Sequence, residues 1–342
     1  MVARMLAIGL PLTIGIGTAM ALGFFPGITF GLALLIGATL APTDADLGQQ
    51  VITDTSVPAR VRRVLNVESG LNDGIVAPLI TVAIALAIYG DVDGLQPLWN
   101  AVRELGLAVL VGGSIGGIGR WLLIRADLRG TASESSRQLA TLALALAAFF
   151  IAAGLEASGF IAAFAAGITF GLGLKERVES AVSFTEAQGT LLSIIVWLVF
   201  GLAVVEEHVL GLDDPMVVVY AALSLTLARM LPVALALVGS GFARVSVLFM
   251  GWFGPRGLAS VVFVLLGIEV LDDAGVSSDP LGPVVAWTVV LSVVLHGFSA
   301  TPLARRYGRF AESLPADAPE RLGEQEPRQP AWRPHLHHRP RV

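Results

Sequence analysis

The run VESGLNDG, at residues 67–74, places two carboxylates, an amide and a hydroxyl inside a strongly apolar stretch. A charge within a membrane segment costs about 2.5–3.5 kcal/mol on insertion scales, so residues that bear this cost are candidates for function. On a helix that turns about 100° per residue, Ser69 and Asp73 are about 40° apart and share one face. Glu68 lies about 140° from Asp73, so the two carboxylates face different neighbours. This pattern favours a functional site over a set of polar contacts that only joins helices.

A second polar run, GATLAPTDAD at residues 37–46, follows an apolar stretch. Pro42 removes a backbone donor and blocks the preceding helical turn, and Thr43 and Asp44 come directly after it. A helix interrupted at membrane depth leaves free carbonyls, which are tolerated only inside the protein or along a cavity. Such carbonyls suit a small hard cation. The alternative is a helix that simply ends here at the cytoplasmic surface.

A third run, GWFGPRGLAS at residues 251–260, predicts another break around Arg256. The break follows from three glycines and a proline: Gly251, Gly254, Pro255 and Gly257. A buried arginine needs an acidic partner, so we predict an ion pair between Arg256 and Glu68. Arg229 is interpreted instead as lying near a helix end and extending to the cytoplasm.

The elements that must position these residues are membrane helices. Hydrophobic residues make up 55% of the 342 residues and charged residues only 14%, against roughly 25% charged in soluble domains. There is no cysteine, which excludes disulfides and thiolate chemistry. Ten apolar segments are predicted, near residues 4–25, 27–47, 64–88, 99–124, 138–156, 159–174, 188–206, 215–239, 246–270 and 281–304. The chain is therefore predicted to be an all-α polytopic membrane protein.

Basic residues alternate between the two sides of this arrangement. One side holds only Arg103 and is otherwise acidic, with Asp91, Asp93, Glu206, Glu207, Asp213, Asp214, Asp272 and Asp273. The other side holds Arg4, Arg60, Arg62, Arg63, Arg120, Arg125, Arg129, Arg137, Lys175, Arg177, Arg244, Arg305, Arg306 and Arg309. This positive-inside bias predicts that both termini are cytoplasmic.

The segments also suggest an internal symmetry. Two interrupted helices, one early and one late, are typical of inverted-repeat transporters. Segments 1–3 and 8–10 are the corresponding triplets, and segments 1 and 8 run in opposite directions under the positive-inside assignment.

We predict a transmembrane domain at residues 1–310 and a disordered cytoplasmic tail at residues 311–342. The tail is rich in proline, arginine and acidic residues and cannot bury a core. Its histidines at His335, His337 and His338 could bind a metal, but a solvated tail is favoured. His296, isolated in an apolar segment, is interpreted as a satisfied core residue, and no pattern of an enzyme stands out.

Three motifs in order, LAPTDA (40–45), ESGLND (68–73) and GPRG (254–257), resemble the cation/proton antiporter superfamily of sodium/proton exchangers. The similarity covers residues 1 to about 310 and is nearest to bacterial members with an Asn-Asp pair. Relative to that family, the chain opens at what resembles the fourth spanning helix, as a fragment or a late gene-model start would, and Ala45 replaces a common proline.

The resemblance implies two crossed broken helices in a core domain, a dimerising scaffold and an elevator-like cycle in the bacterial inner membrane. It implies that Asp73 carries the cation or the proton and that Thr43 and Ser69 help to coordinate the cation, with Asp44 and Asn72 nearby. Glu68 and Arg256 match the family's structural ion pair. An Asn at position 72 implies one proton per cation.

The predicted partners are therefore protons, a monovalent cation (sodium, with potassium or lithium as alternatives), membrane lipid and a second copy of the chain, with no cofactor and no nucleic acid. A cation channel or a non-transporting sensor on the same fold is the alternative function.

Overall fold

The computed structural model describes residues 1–90, 96–172, 176–205, 209, 214–315 and 317–322. Several residues used above lie outside this part of the chain, namely Asp91, Asp93, Lys175, Glu206, Glu207, Asp213 and the cluster His335, His337 and His338.

Within the described residues the chain is helical and contains no strand. The first helices are α1 (Val2–Phe24), α2 (Phe30–Thr39), the short α3 (Gln49–Thr53), α4 (Ala59–Tyr89) and α5 (Gln96–Leu128). They are followed by α6 (Glu134–Gly154), α7 (Gly159–Gly171) and α8 (Glu176–Val199), which continues as a π-helical turn, Phe200–Val205. The last are α9 (Pro215–Leu225), α10 (Leu227–Ala236), α11 (Arg244–Trp252), α12 (Leu258–Asp273) and α13 (Leu281–Glu312).

These helices confirm the predicted all-α membrane architecture. Six spans in the described residues are long and apolar enough to cross a bilayer: Val2–Phe24, Ala59–Tyr89, Val102–Leu128, Glu134–Gly154, Pro215–Ala236 and Leu281–Glu312. The other predicted segments correspond to shorter apolar helices, and two of them, the second and the ninth, are interrupted helices.

Polar residues at helix starts explain several of the boundaries. The Thr29 hydroxyl accepts a hydrogen bond from the Leu32 backbone N–H (3.2 Å) and caps α2. Ser158 caps α7 in the same way. The Asp214 carboxylate accepts from the Met216 N–H (2.8 Å), and Pro215 occupies the first turn of α9, where its missing N–H is harmless.

The helices form two groups. Helices α5 to α8 pack mainly with one another, and the remaining helices surround the two interruptions. Glycines allow very close approach in both groups: a Cβ at Gly31 of α2 would meet the backbone of α4, and a Cβ at Gly112 of α5 would meet the backbone of α7 at Ala162. The small residues of α7 therefore allow its backbone to lie close to α5.

The interruption after α2 is buried rather than a surface end. Residues 39–43 are all buried, and no helix resumes until Gln49. The second interruption spans residues 253–257, which are also buried, between α11 and α12. Both predicted breaks are therefore inside the protein.

The prediction of a disordered tail from residue 311 is wrong for its first part. Helix α13 continues to Glu312, and residues 317–322 return to the body of the protein. Glu320 is 1% exposed, and its Oε1 accepts hydrogen bonds from the Ala243 N–H and the Ser246 hydroxyl, both at 2.7 Å. The start of α11 lacks a local side-chain cap, so a carboxylate from a distant segment takes that position. Residues 323–342 lie outside the described part of the chain.

Candidate functional site

The two helix breaks contact each other directly. The Asp44 N–H donates to the Pro255 carbonyl (2.8 Å), which joins the backbone of one break to that of the other. From the second break, Arg256 Nη1 donates to the carbonyls of Ala41 (2.6 Å) and Pro42 (3.1 Å). Carbonyls freed by the first break are therefore satisfied by a side chain of the second.

The charges at this contact match the helix dipoles. Helix α2 presents its partly negative C-terminus at the first break, and the guanidinium of Arg256 lies against the carbonyls just beyond it. Helix α12 presents its partly positive N-terminus at the second break, where Asp44 Oδ2 accepts from the Leu258 N–H (2.8 Å). Each break thus supplies the charge that stabilises the helix end of the other.

Both oxygens of the Asp44 carboxylate accept backbone hydrogen bonds. Oδ1 accepts from the backbone N–H groups of Asp46 (2.8 Å) and Leu47 (3.2 Å). Gly257 makes the arrangement possible, because a Cβ there would collide with the Asp44 carboxylate. Asp44 was predicted to lie close to the cation; it borders the site, but its contacts are those of a residue that holds the two breaks together.

Beside the contact, three predicted polar residues form a buried chain. Asn72 Nδ2 donates to Thr43 Oγ1 (2.8 Å), and Thr43 Oγ1 is hydrogen-bonded to Ser69 Oγ (2.9 Å). All three side chains are less than 10% exposed. Helix α4 and the first break are the elements that bring them together, as the sequence predicted.

Two buried oxygens next to this chain have no hydrogen-bond partner among the described residues: Asn72 Oδ1 and Asp73 Oδ1. Most buried polar atoms in proteins are satisfied, so an oxygen left without a donor calls for an explanation such as an ion. An amide oxygen, a carboxylate oxygen and hydroxyls are also the ligand types that hard cations prefer.

A cavity of about 440 Å³ adjoins Asp73, and Asn72 lies behind the residues that line it. Thr43, Ser69 and Asp73 line one wall, and Phe160 and Phe164 of α7 line another. The cavity therefore lies between the two helix groups, with the predicted polar face of α4 directed into it. Ser69 and Asp73 share this face, as their spacing predicted.

The predicted ion pair between Glu68 and Arg256 is wrong. Glu68 is paired with Arg229 of α10 through two parallel hydrogen bonds, Nη1 to Oε1 at 2.6 Å and Nη2 to Oε2 at 2.8 Å. Both side chains are 3% exposed, so the interpretation of Arg229 as a residue that extends to the cytoplasm is also wrong. Arg256 is fully buried and is held by carbonyls instead, because it lies at the level of the α2 terminus.

Three further residues at the breaks were not singled out as site residues. The Ser260 hydroxyl donates to the Thr39 carbonyl (2.7 Å), and the Arg256 N–H donates to Ser292 Oγ (2.7 Å). His296 Nε2 lies 2.8 Å from the Trp252 carbonyl, and its ring stacks on the Trp252 indole. In the sequence, each of these residues was recognisable only as a polar side chain in an apolar segment. For His296 this pattern predicted a core residue with hydrogen-bond partners, which the structure shows.

With this geometry in place, comparison with known proteins decides the family. The family model for the transmembrane sodium/hydrogen exchanger matches residues 2–306, which is most of the chain. The chain belongs to the sodium/hydrogen exchanger family. This confirms the resemblance to the cation/proton antiporter superfamily and the prediction of a multi-pass membrane protein, while the Asn-Asp branch stays a prediction.

Curated relatives of this exchanger-family chain are antiporters of two kinds. Na(+)/H(+) antiporter 2 of Zygosaccharomyces rouxii is 25% identical over 327 residues, covering 84% of this chain and 40% of the relative. The K(+)/H(+) antiporter NhaP2 of Shewanella sp. (strain MR-4) is 27% identical over 278 residues, covering 80% of this chain and 46% of the relative. The chain thus spans less than half the length of these two relatives.

A solved structure has the same fold. The sodium proton antiporter MjNhaP1 from Methanocaldococcus jannaschii superposes with a TM-score of 0.74 over 90% of this chain and 78% of that chain. The sequence identity is 23%, so this likeness establishes the arrangement of the helices and not the transported ion.

Proposed function

We propose that this protein is a secondary active transporter that exchanges a monovalent cation for protons, with both ions using Asp73. The observation that carries the proposal is the pair of unpartnered buried oxygens, Asn72 Oδ1 and Asp73 Oδ1, beside the hydroxyls of Thr43 and Ser69. The relatives named above are sodium/proton and potassium/proton antiporters, which supports a cation and a proton as the exchanged pair.

The proposed coupling follows from which carboxylate at the site is buried without a partner. Asp44 accepts from three backbone N–H groups and Glu68 is paired with Arg229. Asp46 also lines the cavity but is exposed, which leaves Asp73 as the lining acid with a buried oxygen that has no hydrogen-bond partner among the described residues. A cation and a proton that need the same carboxylate exclude each other, and this exclusion couples their flows. Asn72 adds a ligand oxygen but no charge, so we propose one proton per cation.

The position of the cavity suggests how access alternates. It lies between the group that carries the breaks and the group formed by α5 to α8, with Phe160 and Phe164 facing the polar wall. Movement of one group against the other would expose the site to each side of the membrane in turn, as in other transporters built from repeats. The homodimer predicted from the family resemblance would hold the α5–α8 group in place.

We propose that both termini lie in the cytoplasm of a bacterial inner membrane, and contacts among the basic segments support their placement on one common side. Arg4 Nη2 donates to the Val238 carbonyl (2.6 Å), and Arg60 Nη1 donates to the Pro319 carbonyl (2.7 Å). Segments that the positive-inside pattern assigns to one side are therefore neighbours in space.

The decisive experiment compares Asp73→Asn with Asp273→Asn in proteoliposomes. Asp273 is an exposed aspartate at the end of α12, so its variant makes the same chemical change away from the cavity. A pH-sensitive dye inside the vesicles reports proton movement after sodium, potassium or lithium is added outside.

Asp73→Asn should abolish cation-driven proton flux while it melts like the wild type, and Asp273→Asn should keep the flux. Substantial flux in Asp73→Asn would refute the role of this carboxylate. Cation movement without coupled protons in the wild type would instead indicate a channel, and no flux of either ion would indicate a sensor.

A further inference from the structure

The structure contains another cavity, away from the cation site. It has a volume of about 490 Å³ and lies between α10, α11 and the C-terminal half of α13. This volume is within the range of about 300–1,000 Å³ that is typical of small-molecule sites. None of the residues that line it belongs to the polar network around Asp73.

The cavity is apolar along its length and basic at one end. Its floor includes the rings of Phe249 and Tyr307, which stack at a centroid distance of 4.1 Å. Its outer wall includes Val245 and Leu248, which are 45% and 57% exposed and would face the hydrocarbon of a bilayer. Arg306, near the end of α13, is the charged residue of the lining.

The charge around the mouth is positive. Arg306 is exposed, and no hydrogen bond or ion pair joins it to the other residues that the structure describes. Arg309 lies one turn further along α13, and Arg244 begins α11 next to Val245; both are exposed. All three arginines belong to the side that the positive-inside pattern assigns to the cytoplasm. Basic pockets between membrane helices on that side are suited to anionic lipid headgroups.

We propose that this cavity is a binding site for an anionic phospholipid of the cytoplasmic leaflet, with the phosphate at Arg306 and an acyl chain along Leu248 and Phe249. The open outer wall lets a chain enter from the bilayer, and the single basic end fixes the orientation of the lipid. A zwitterionic lipid would offer the same chain but would place a positive group beside Arg306. The charge at the mouth therefore selects an anionic headgroup.

The inner end of the cavity links the lipid to the helix break. Trp252 and Phe253 line it, and they are the last residue of α11 and the first residue of the buried break. The Trp252 carbonyl lies 2.8 Å from His296 Nε2, and the Trp252 indole N–H donates to Ser299 Oγ (2.9 Å). A bound acyl chain would pack against this joint and stabilise the folded protein.

The test measures thermal melting by tryptophan fluorescence in detergent micelles that contain phosphatidylglycerol, phosphatidylcholine or inorganic phosphate alone. The variants are Arg306→Gln, which removes the charge, and Leu248→Trp, which fills the groove. Arg129→Gln is the matched control, because Arg129 is exposed on the same predicted side but lies outside the cavity. None of these measurements depends on transport.

For the wild type and Arg129→Gln, phosphatidylglycerol should raise the melting temperature more than phosphatidylcholine does, and inorganic phosphate should have no effect. Arg306→Gln should need about fivefold more phosphatidylglycerol for the same shift, as expected for one basic residue at an anionic lipid surface. Leu248→Trp should lose the lipid-specific shift. Equal shifts with the two lipids, a shift with phosphate alone, or unchanged responses in both Arg306→Gln and Leu248→Trp would overturn the proposal.

Discussion

Removal of Arg229 should destabilise the protein strongly, because it would leave Glu68 charged and unpaired inside the helix bundle. The pair has two hydrogen bonds of 2.6 and 2.8 Å, and both side chains are only 3% exposed. Breaking a buried pair by removing one partner costs about 3–5 kcal/mol. We expect Arg229→Met, which keeps the aliphatic volume, to lose stability in this range.

The chain supplies a matched comparison in the ion pair between Arg137 and Asp127. Its separation is 3.0 Å, but the Arg137 side chain is 29% exposed, and partly exposed pairs contribute only about 0–1 kcal/mol. Arg137→Met should therefore cost about 1 kcal/mol or less. The contrast between the two variants isolates the effect of burial from that of losing an arginine.

The assay is equilibrium unfolding of the purified protein in mixed micelles, followed by tryptophan fluorescence. The double variant Arg229→Met with Glu68→Gln should recover most of the stability lost in Arg229→Met, because no uncompensated carboxylate remains. Two results would refute the reasoning: an Arg229→Met protein as stable as Arg137→Met, or a double variant no more stable than Arg229→Met. If Arg256, and not Arg229, showed this coupling to Glu68, the ion pair predicted from the sequence would be correct.

Three other predictions concern the helix breaks and the ion site. Gly257→Ala should displace the Asp44 carboxylate and lower the melting temperature and the exchange rate together. Gly23→Ala, at an exposed helical position with open space around it, should leave both unchanged. Glu320→Ala should cost about 1–3 kcal/mol in unfolding experiments, because a buried carboxylate that accepts two hydrogen bonds is lost; a wild-type stability would show that residues 317–322 do not cap α11. In proteoliposomes, apparent cation affinity should weaken as pH falls, because protons occupy Asp73. The exchange rate should not respond to membrane voltage. A steep voltage dependence would mean that more than one proton moves per cation.

Much of the fold could be predicted because bilayer insertion imposes strong local rules. Apolar segments of spanning length identified the helices, and proline with glycines identified both breaks, since these residues disturb a helix wherever it packs. The polar face of α4 was also predictable, because the angle between Ser69 and Asp73 is a property of the helix alone. Thr43, which lies inside the first break directly after Pro42, supplies the remaining hydroxyl of the site.

The sequence by itself therefore determined the membrane class, the two breaks and the polar residues at the site. The tertiary structure decided which charges meet. Either of two buried arginines could have formed an ion pair with Glu68, and their spacing along the chain does not distinguish them. The packing of α10 against α4 places Arg229 beside Glu68, whereas Arg256 donates to carbonyls that follow α2. The same holds for Glu320, whose polar neighbourhood in the sequence predicted a solvated tail. A charged side chain becomes buried when a distant segment offers donors at the right distance, and this is a property of the folded structure rather than of the local sequence.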